Sequence, residues 1–174
     1  ANGKWRAELP ALKPGKPYTI TINDITLNDV LVGDVLLCSG QSNMELPVNR
    51  VTDMFADDIA AYKNPAIRQF KVPKEVDFHE QRADVSDGSW KSVNDDAMNF
   101  SALAYFTARS LNERTGLPVG IINASWGGTP VEAWISEDNL SAYPLALAKK
   151  HLYDDDAYRE RIKALEGENF ARWN

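Results

Sequence analysis

The sequence has few of the residues that build disulfides and metal sites. Its 174 residues include one cysteine, Cys38, and two histidines. A single cysteine excludes an internal disulfide and leaves the cellular compartment open. Its place in an apolar run favours a small buried hydrophobe over a reactive nucleophile. Long hydrophobic runs are also lacking, because no window approaches the roughly eighteen continuous apolar residues of a membrane span.

Basic residues are outnumbered, with 19 against 25 acidic ones and a net charge of −6. Without a basic stripe to neutralise phosphates, nucleic acid is disfavoured as a partner. The acidic runs Asp57-Asp58, Asp95-Asp96 and Asp154-Asp155-Asp156 lack the spacing of metal ligands and are typical of helix starts or solvated faces. Gly127-Gly128 has neither the further glycines nor the Lys-Ser/Thr pair of a phosphate loop. No metal and no organic cofactor are therefore predicted.

The chain also begins without an initiator methionine or a signal peptide. Ala1-Asn2-Gly3-Lys4-Trp5 is expected to follow a processed segment or to lie inside a longer polypeptide. The apolar content of 44% is enough for a proper core, and the length suits one domain, or one domain with a piece of another.

Apolar runs and helical periodicity alternate along the chain and predict an α/β fold with a parallel sheet and helices on both faces. Strands are predicted at 35–38, 67–72 and 119–124. Helices are predicted at 53–62 and 101–114, the second with an apolar face of Leu103, Ala104, Phe106, Ala108 and Leu111.

Three further segments frame this pattern. Residues 1–30 read as short strands, either the end of an upstream β-domain or an antiparallel edge of the main domain. Residues 74–99 read as a long surface excursion with a short hairpin around Asp87-Gly88. A charged helix is predicted from Asp154 to Trp173, with an apolar face that needs a packing partner.

The first strand ends in a small polar turn. After Cys38 the sequence continues Ser39-Gly40-Gln41-Ser42-Asn43, which would place Ser42 at the carboxyl edge of the sheet, where α/β folds bind ligands. Ser42 is thus a candidate nucleophile, although many loop serines only bond the backbone. The nucleophile elbow Gly-x-Ser-x-Gly is not matched, because Met44 replaces the second glycine.

The third strand runs into a Gly-Gly turn, Ser125-Trp126-Gly127-Gly128-Thr129-Pro130. Thr129 fits an N-cap, Pro130 the first helical position and Glu132 the reciprocal capping-box position. The turn would then lead into a helix N-terminus with free N–H groups that can face an anion. The alternative is a simple tight turn before a capped helix.

Together the two stretches, Cys38 to Glu45 and Ser125 to Trp134, resemble the sialate O-acetylesterase family of SGNH hydrolases, which is related to the carbohydrate acetylxylan esterases. The lead-in from Leu27, the helix from Phe100 and the segment from Gly116 are also similar. The resemblance implies a three-layer α/β/α sandwich of the flavodoxin-like kind. This domain would occupy residues 31–174 and be incomplete in this chain.

The resemblance also implies a site. Ser42 would take an acetyl group as the nucleophile, and its N–H would form an oxyanion hole with Gly127 or Gly128, between which the sequence does not choose. The residues with a possible substrate-binding role are Gln41, Asn43 and Trp126. For Trp126, packing in the core is an equally good reading.

Two blocks of the resembling family are not found. One is a Gln-Gly-Glu-Ser-type block that supplies an oxyanion donor, and the other is an Asp-x-x-His block that carries the base. Neither His79 nor His151 has an aspartate three residues before it, and both read as surface histidines. The base and its aspartate are therefore expected from the rest of the polypeptide or from a second chain.

The resulting prediction is a serine esterase that removes O-acetyl groups from a carbohydrate, sialic acid first and acetylated xylan or another polysaccharide second. A non-enzymatic carbohydrate-binding or interaction fragment is the alternative from another class. The family resemblance favours a secreted or periplasmic protein without fixing the compartment.

Overall fold

The computed structural model describes residues 6–173, so the predicted start at residues 1–5 lies outside the described residues. The chain forms two compact units. The first comprises the chain up to Pro73 together with Asp87–Gly127. The second comprises Lys74–Ser86 and the chain from Gly128 onward.

A four-stranded sheet organises the first unit. Its strands are β3 (Asp34–Gly40), β4 (Ile67–Lys71), β5 (Trp90–Ser92) and β6 (Val119–Ser125), in the order β3-β6-β4-β5. The pairs β3–β6 and β4–β6 are parallel, which confirms the predicted parallel sheet. Strand β5 pairs antiparallel with β4, and this replaces the hairpin predicted around Asp87-Gly88.

Helices of the first unit build one core with this sheet. They are α1 (Ser42–Glu45), α2 (Thr52–Ala61), α3 (Val93–Asp96) and α4 (Ala102–Thr115), with 3-10 turns at Val48–Arg50 and Ala97–Asn99. The predicted helix at 101–114 is confirmed as α4, which Ser101 caps by accepting from the Ala104 N–H and which ends at Gly116 with φ +71°. Tyr105 is fully buried and meets the ring of Tyr62, the residue that follows α2, edge-on, while Ile59 of α2 joins the same core.

The core differs in detail from the predicted apolar faces. Leu103 on α4 is 53% exposed, so the predicted face was wrong at this residue, whereas its members Ala104 and Ala108 are buried as predicted. On β3, Val35 and Leu37 are 61% and 71% exposed, although the apolar run predicted burial on both faces. A helical layer on each face stays a prediction.

An antiparallel hairpin precedes the sheet in the same unit. It consists of β1 (Tyr18–Ile22) and β2 (Ile25–Val30), which confirms the strands predicted within residues 1–30. Arg68 of β4 bonds the hairpin by donating to both carboxylate oxygens of Asp29 and to its carbonyl, at 2.7 to 2.9 Å. The predicted domain boundary at residue 30 stays a prediction.

In the second unit, helices lie in the segment from Gly128 onward, whereas Lys74–Ser86 contains no helix or strand. The unit contains a 3-10 turn at Val131–Trp134 and the helices α5 (Glu137–Leu140), α6 (Pro144–Asp154) and α7 (Asp156–Trp173). The helix that the sequence predicts from Thr129 is therefore wrong. Pro130, not Thr129, precedes the 3-10 turn, and the Thr129 hydroxyl instead accepts from the Trp134 indole N–H at 2.9 Å.

The carboxyl-terminal part of the second unit was predicted as one helix from Asp154. The structure divides it, because Asp155 adopts an extended conformation between α6 and α7. Helix α7 has no buried residue, and Phe170 on its predicted apolar face is 73% exposed. No helix among residues 6–173 combines the length and apolar character needed to cross a membrane.

Candidate active site

The turn from β3 into α1 places Ser42 at the carboxyl edge of the sheet. Gly40 ends the strand with φ +135°, a conformation that favours glycine, and the helix begins two residues later. The Gln41 carbonyl accepts from the N–H groups of Met44 and Glu45, at 3.1 and 3.0 Å, and so closes the short helix. Ser42 is its first residue and is exposed, so a reagent can reach its hydroxyl.

Helix α1 is held by contacts with the segment that starts α4. The Ala102 N–H donates to the Leu46 carbonyl at 2.8 Å, and the Val48 N–H donates to the Phe100 carbonyl at 2.9 Å. Val48 and Phe100 are fully buried. Because the four residues of α1 are too few to be stable alone, these tertiary contacts keep Ser42 in place.

The Gly-Gly turn meets this helix through the parallel pairing of β3 and β6. Gly40 lies opposite Ser125 in the register, and the Trp126 N–H donates to the Gly40 carbonyl at 2.9 Å. The next residue, Gly127, is so close to α1 that a Cβ built on it would lie 3.2 Å from Ser42 Oγ. The structure thus brings together Ser42 and Gly127, two residues that the sequence predicts for one site.

A carboxylate that the sequence did not single out lies in the same place. The Gly127 N–H donates to Oε2 of Glu45 at 2.5 Å. Glu45 is the last residue of α1 and is partly buried. The sequence offered no signal for this bond, since its partners are 82 positions apart.

Buried polar side chains form a set of hydrogen bonds around the end of β6. Asn123 donates from Nδ2 to Oε1 of Gln69 at 3.2 Å and accepts from the Ser125 hydroxyl at 2.6 Å. The same Gln69 oxygen accepts from the Ser101 N–H at 3.0 Å. All four residues are less than 9% exposed. This network, which we call the amide network, ties β4, β6 and the start of α4 together beneath the candidate site.

The other residues predicted for the site are Gln41, Asn43, Trp126 and Gly128. Gln41 and Asn43 flank Ser42 and are exposed, while Trp126 is half-buried. Gly128 has φ +83°, and a Cβ built there would meet nothing within 4 Å. The backbone therefore needs glycine at Gly128 for its conformation and at Gly127 for close approach.

Both histidines belong to the second unit and lie near carboxylates. His79 Nε2 is 3.3 Å from Asp156, and His151 Nε2 is 3.4 Å from Glu137, with both imidazoles more than half exposed. Hydrogen bonds from Lys150 first, and from His151 second, lower the pKa of Glu137. These are surface ion pairs of small energetic weight.

Other groups of the described chain add no second reactive centre. Within residues 6–173, no cluster of three or more His, Cys, Asp or Glu side chains is arranged to hold a metal ion. Cys38 is 8% exposed, and its burial raises the pKa of the thiol, which favours the unreactive protonated form. A cavity of about 220 Å³ beside β4 and β5 is lined by Lys71 and Lys91, and none of the predicted site residues lines it.

Comparison with known proteins identifies the family of the chain. The family described as carbohydrate esterase, sialic acid-specific acetylesterase matches residues 32–166. The sialate O-acetylesterase of Rattus norvegicus is 36% identical over 81% of this chain, and that of Homo sapiens is 32% identical over 79%. The chain spans 29% of the length of each of these two relatives.

A solved structure is similar as well. A carbohydrate acetylesterase from Xanthomonas citri superposes with a TM-score of 0.73 and 39% identity, covering 81% of this chain and 33% of that one. The matched family segment contains both the Ser42 turn and the Gly127 turn. The chain belongs to the sialic acid-specific acetylesterase family of carbohydrate esterases.

Proposed function

We propose that the protein is a carbohydrate O-acetylesterase that uses Ser42 as its nucleophile. One observation carries the proposal: an exposed serine at the start of α1 lies beside the turn that contains Gly127. A Cβ atom built on Gly127 would lie 3.2 Å from the hydroxyl oxygen of Ser42. Acyl transfer needs this combination of an accessible nucleophile and closely approaching backbone.

The reaction begins with attack of Ser42 Oγ on the acetyl carbonyl carbon, while a general base accepts the hydroxyl proton. The negative charge that develops on the carbonyl oxygen is stabilised by backbone N–H donors, of which the Ser42 N–H is one. Collapse of the tetrahedral intermediate expels the sugar hydroxyl, which takes up the proton. Water then attacks the acetyl-enzyme in the same way and releases acetate.

We assign the general base and its orienting carboxylate to residues outside this sequence. The support is that neither histidine has an aspartate three residues before it, and that each lies against a surface carboxylate, Asp156 for His79 and Glu137 for His151. Either the rest of the polypeptide or a second chain would then supply the base. No step of this mechanism uses a metal or an organic cofactor.

The substrate that we favour is an O-acetylated sialic acid, by analogy with the curated relatives whose names specify sialate. Acetylated xylan or another acetylated polysaccharide is the second candidate. It is supported by the broader name of the similar structure, a carbohydrate acetylesterase. Both substrates require the same chemistry at Ser42 and differ only in the sugar that leaves.

A fluorophosphonate probe tests the nucleophile, because it labels serines that are activated for acyl transfer. We expect the whole protein to be labelled, and Ser42→Ala to abolish both labelling and acetate release. Ser39→Ala is the matched control in the same turn and is expected to keep the labelling. Labelling that survives Ser42→Ala would assign the activity to another serine.

The substrate is tested by measuring acetate release from O-acetylated sialic acid and from acetylated xylan under identical conditions. A higher kcat/KM for the sialic acid ester supports the favoured substrate, and the reverse supports the polysaccharide. If neither ester nor the probe reacts, while glycan binding is retained, the protein is a carbohydrate-binding module that keeps the fold without the chemistry.

A further inference from the structure

Glu45 contacts the turn that contains Gly127, and the esterase mechanism above gives it no role. The residue lies three positions after Ser42 in α1, which puts the two side chains on one face of the helix. Its Oε2 atom accepts the Gly127 N–H at 2.5 Å. A carboxylate that accepts a backbone N–H forms one of the stronger hydrogen bonds in proteins.

Both side chains converge on the same point of the turn. A Cβ atom built on Gly127 would lie 2.7 Å from Glu45 Oε2 and 3.2 Å from Ser42 Oγ. A side chain at this position would force the Glu45 carboxylate to shift and would crowd Ser42 Oγ, so glycine allows the closest approach of the turn. The carboxylate and the nucleophile therefore approach the turn from one helix, and a shift of the turn relative to Glu45 is also a shift relative to Ser42.

The bond also decides what Gly127 can do. A backbone N–H carries a single hydrogen, so the Gly127 N–H cannot serve an oxyanion while it donates to Glu45. In this structure, Gly127 allows the turn to lie close to Ser42, and its own N–H already donates to Glu45.

We propose that Glu45 is a positioning residue, which fixes the Gly127 turn against Ser42 by accepting the Gly127 N–H. This inference rests on the proposed esterase function. What the position needs is a hydrogen-bond acceptor on a side chain of this length. Glutamine, whose amide oxygen can occupy the place of Oε2, can then substitute for glutamate, whereas alanine cannot.

The hydrogen bond can be observed directly by NMR, independently of activity. Trp126-Gly127 is the only Trp-Gly pair among the 174 residues, so labelling Trp at its carbonyl carbon and Gly at its nitrogen selects the Gly127 amide within this sequence, and Gly127→Ala identifies its signal in the whole protein. We expect slow exchange of this amide with solvent in the wild type and in Glu45→Gln. In Glu45→Ala the exchange should accelerate at least about tenfold, because the acceptor is gone.

Kinetics of the whole protein test the consequence for the reaction. A displaced turn misplaces the groups around Ser42, so Glu45→Ala should lower kcat by about ten- to hundredfold with little change in KM. Glu45→Gln should restore most of this loss. Glu160→Ala changes an exposed glutamate of α7 and is the matched control with unchanged activity.

The outcomes separate this inference from the proposed function. If Ser42→Ala abolishes activity while Glu45→Ala leaves kcat and the Gly127 amide unchanged, the positioning role is wrong and the esterase stands. Equal losses in Glu45→Gln and Glu45→Ala would also overturn it, because charge and not the acceptor would then matter. If Ser42→Ala retains full activity, the proposed function fails instead, and the amide exchange alone decides whether Glu45 holds the turn.

Discussion

Replacing Gly127 by alanine perturbs the candidate site at the point where space is smallest. The new methyl group would lie 2.7 Å from Glu45 Oε2, 3.2 Å from Ser42 Oγ and 3.6 Å from Ser42 Cα. The first distance is shorter than any real Cβ contact, so the Glu45 carboxylate has to move. The second is tight and pushes on the nucleophile itself. Gly127→Ala therefore strains both residues at once.

The magnitude follows from these contacts. Overpacking by one methyl group costs about 1–3 kcal/mol of the free energy of unfolding. If the carboxylate moves away, the bond to the Gly127 N–H is lost, and a bond to a charged group contributes about 1.5–3 kcal/mol. These are alternative routes for relieving one clash, so we expect a total loss of about 1–3 kcal/mol. Displacement of Ser42 should slow its labelling by about ten- to hundredfold.

Two measurements on the whole protein check this expectation, a denaturant unfolding curve and the time course of fluorophosphonate labelling. Gly167→Ala in α7 is the matched control, since a Cβ there meets nothing within 4 Å. It should raise stability by about 0.5–1 kcal/mol, because alanine is the better helix former, and leave labelling unchanged. A Gly127→Ala protein with wild-type stability and labelling would refute the close approach of the turn to Ser42.

Three other predictions concern the scaffold of the first unit. Gly33→Ala should lower the free energy of unfolding by about 3 kcal/mol or more, because the new Cβ would lie 2.0 Å from the Pro118 carbonyl oxygen. A melting temperature close to that of the wild type would contradict this. Gln69→Leu should cost about 1–3 kcal/mol of the free energy of unfolding for each donor left without its acceptor, the Ser101 N–H among them, and a denaturant unfolding curve measures this loss. Cys38 should resist iodoacetamide in the native protein and react only on unfolding, because burial raises the pKa of its thiol above the ordinary value of a free cysteine. The stability gained by burying the protonated thiol is fully present below the ordinary pKa of a free cysteine and is lost as the pH rises through the folded-state pKa. Rapid native labelling at pH 8 would contradict it.

The sheet and the position of Ser42 were predictable because their signals are local. Strands β3 and β6 follow continuous apolar runs, and a glycine marks the turn that precedes Ser42. Strand β5 was missed because Trp90–Ser92 is only three residues long and has no hydrophobic period. Its strand conformation depends on pairing with β4, which lies elsewhere in the sequence.

Other features were also predicted wrongly or not at all because they depend on tertiary contacts. The Thr129 hydroxyl was expected to cap a helix, but it accepts a hydrogen bond from the Trp134 indole N–H instead. A 3-10 turn that begins after Pro130 stands in place of the expected helix. Leu103 was predicted on the same apolar face of α4 as Ala104 and Ala108, yet only the two alanines are buried in the core. The Glu45 bond to Gly127 could not be predicted, because it depends on the register of two strands that are distant in sequence.

That register also determines when during folding the site can exist. Glu45 and Gly127 are 82 positions apart, and they meet only after β6 has paired with β3. Closing so long a loop is entropically costly and is slow compared with the formation of local turns. The serine turn can therefore form early in synthesis as an ordinary surface turn. In a nascent chain, Ser42 would therefore lack the contacts of the Gly127 turn until β6 has paired with β3.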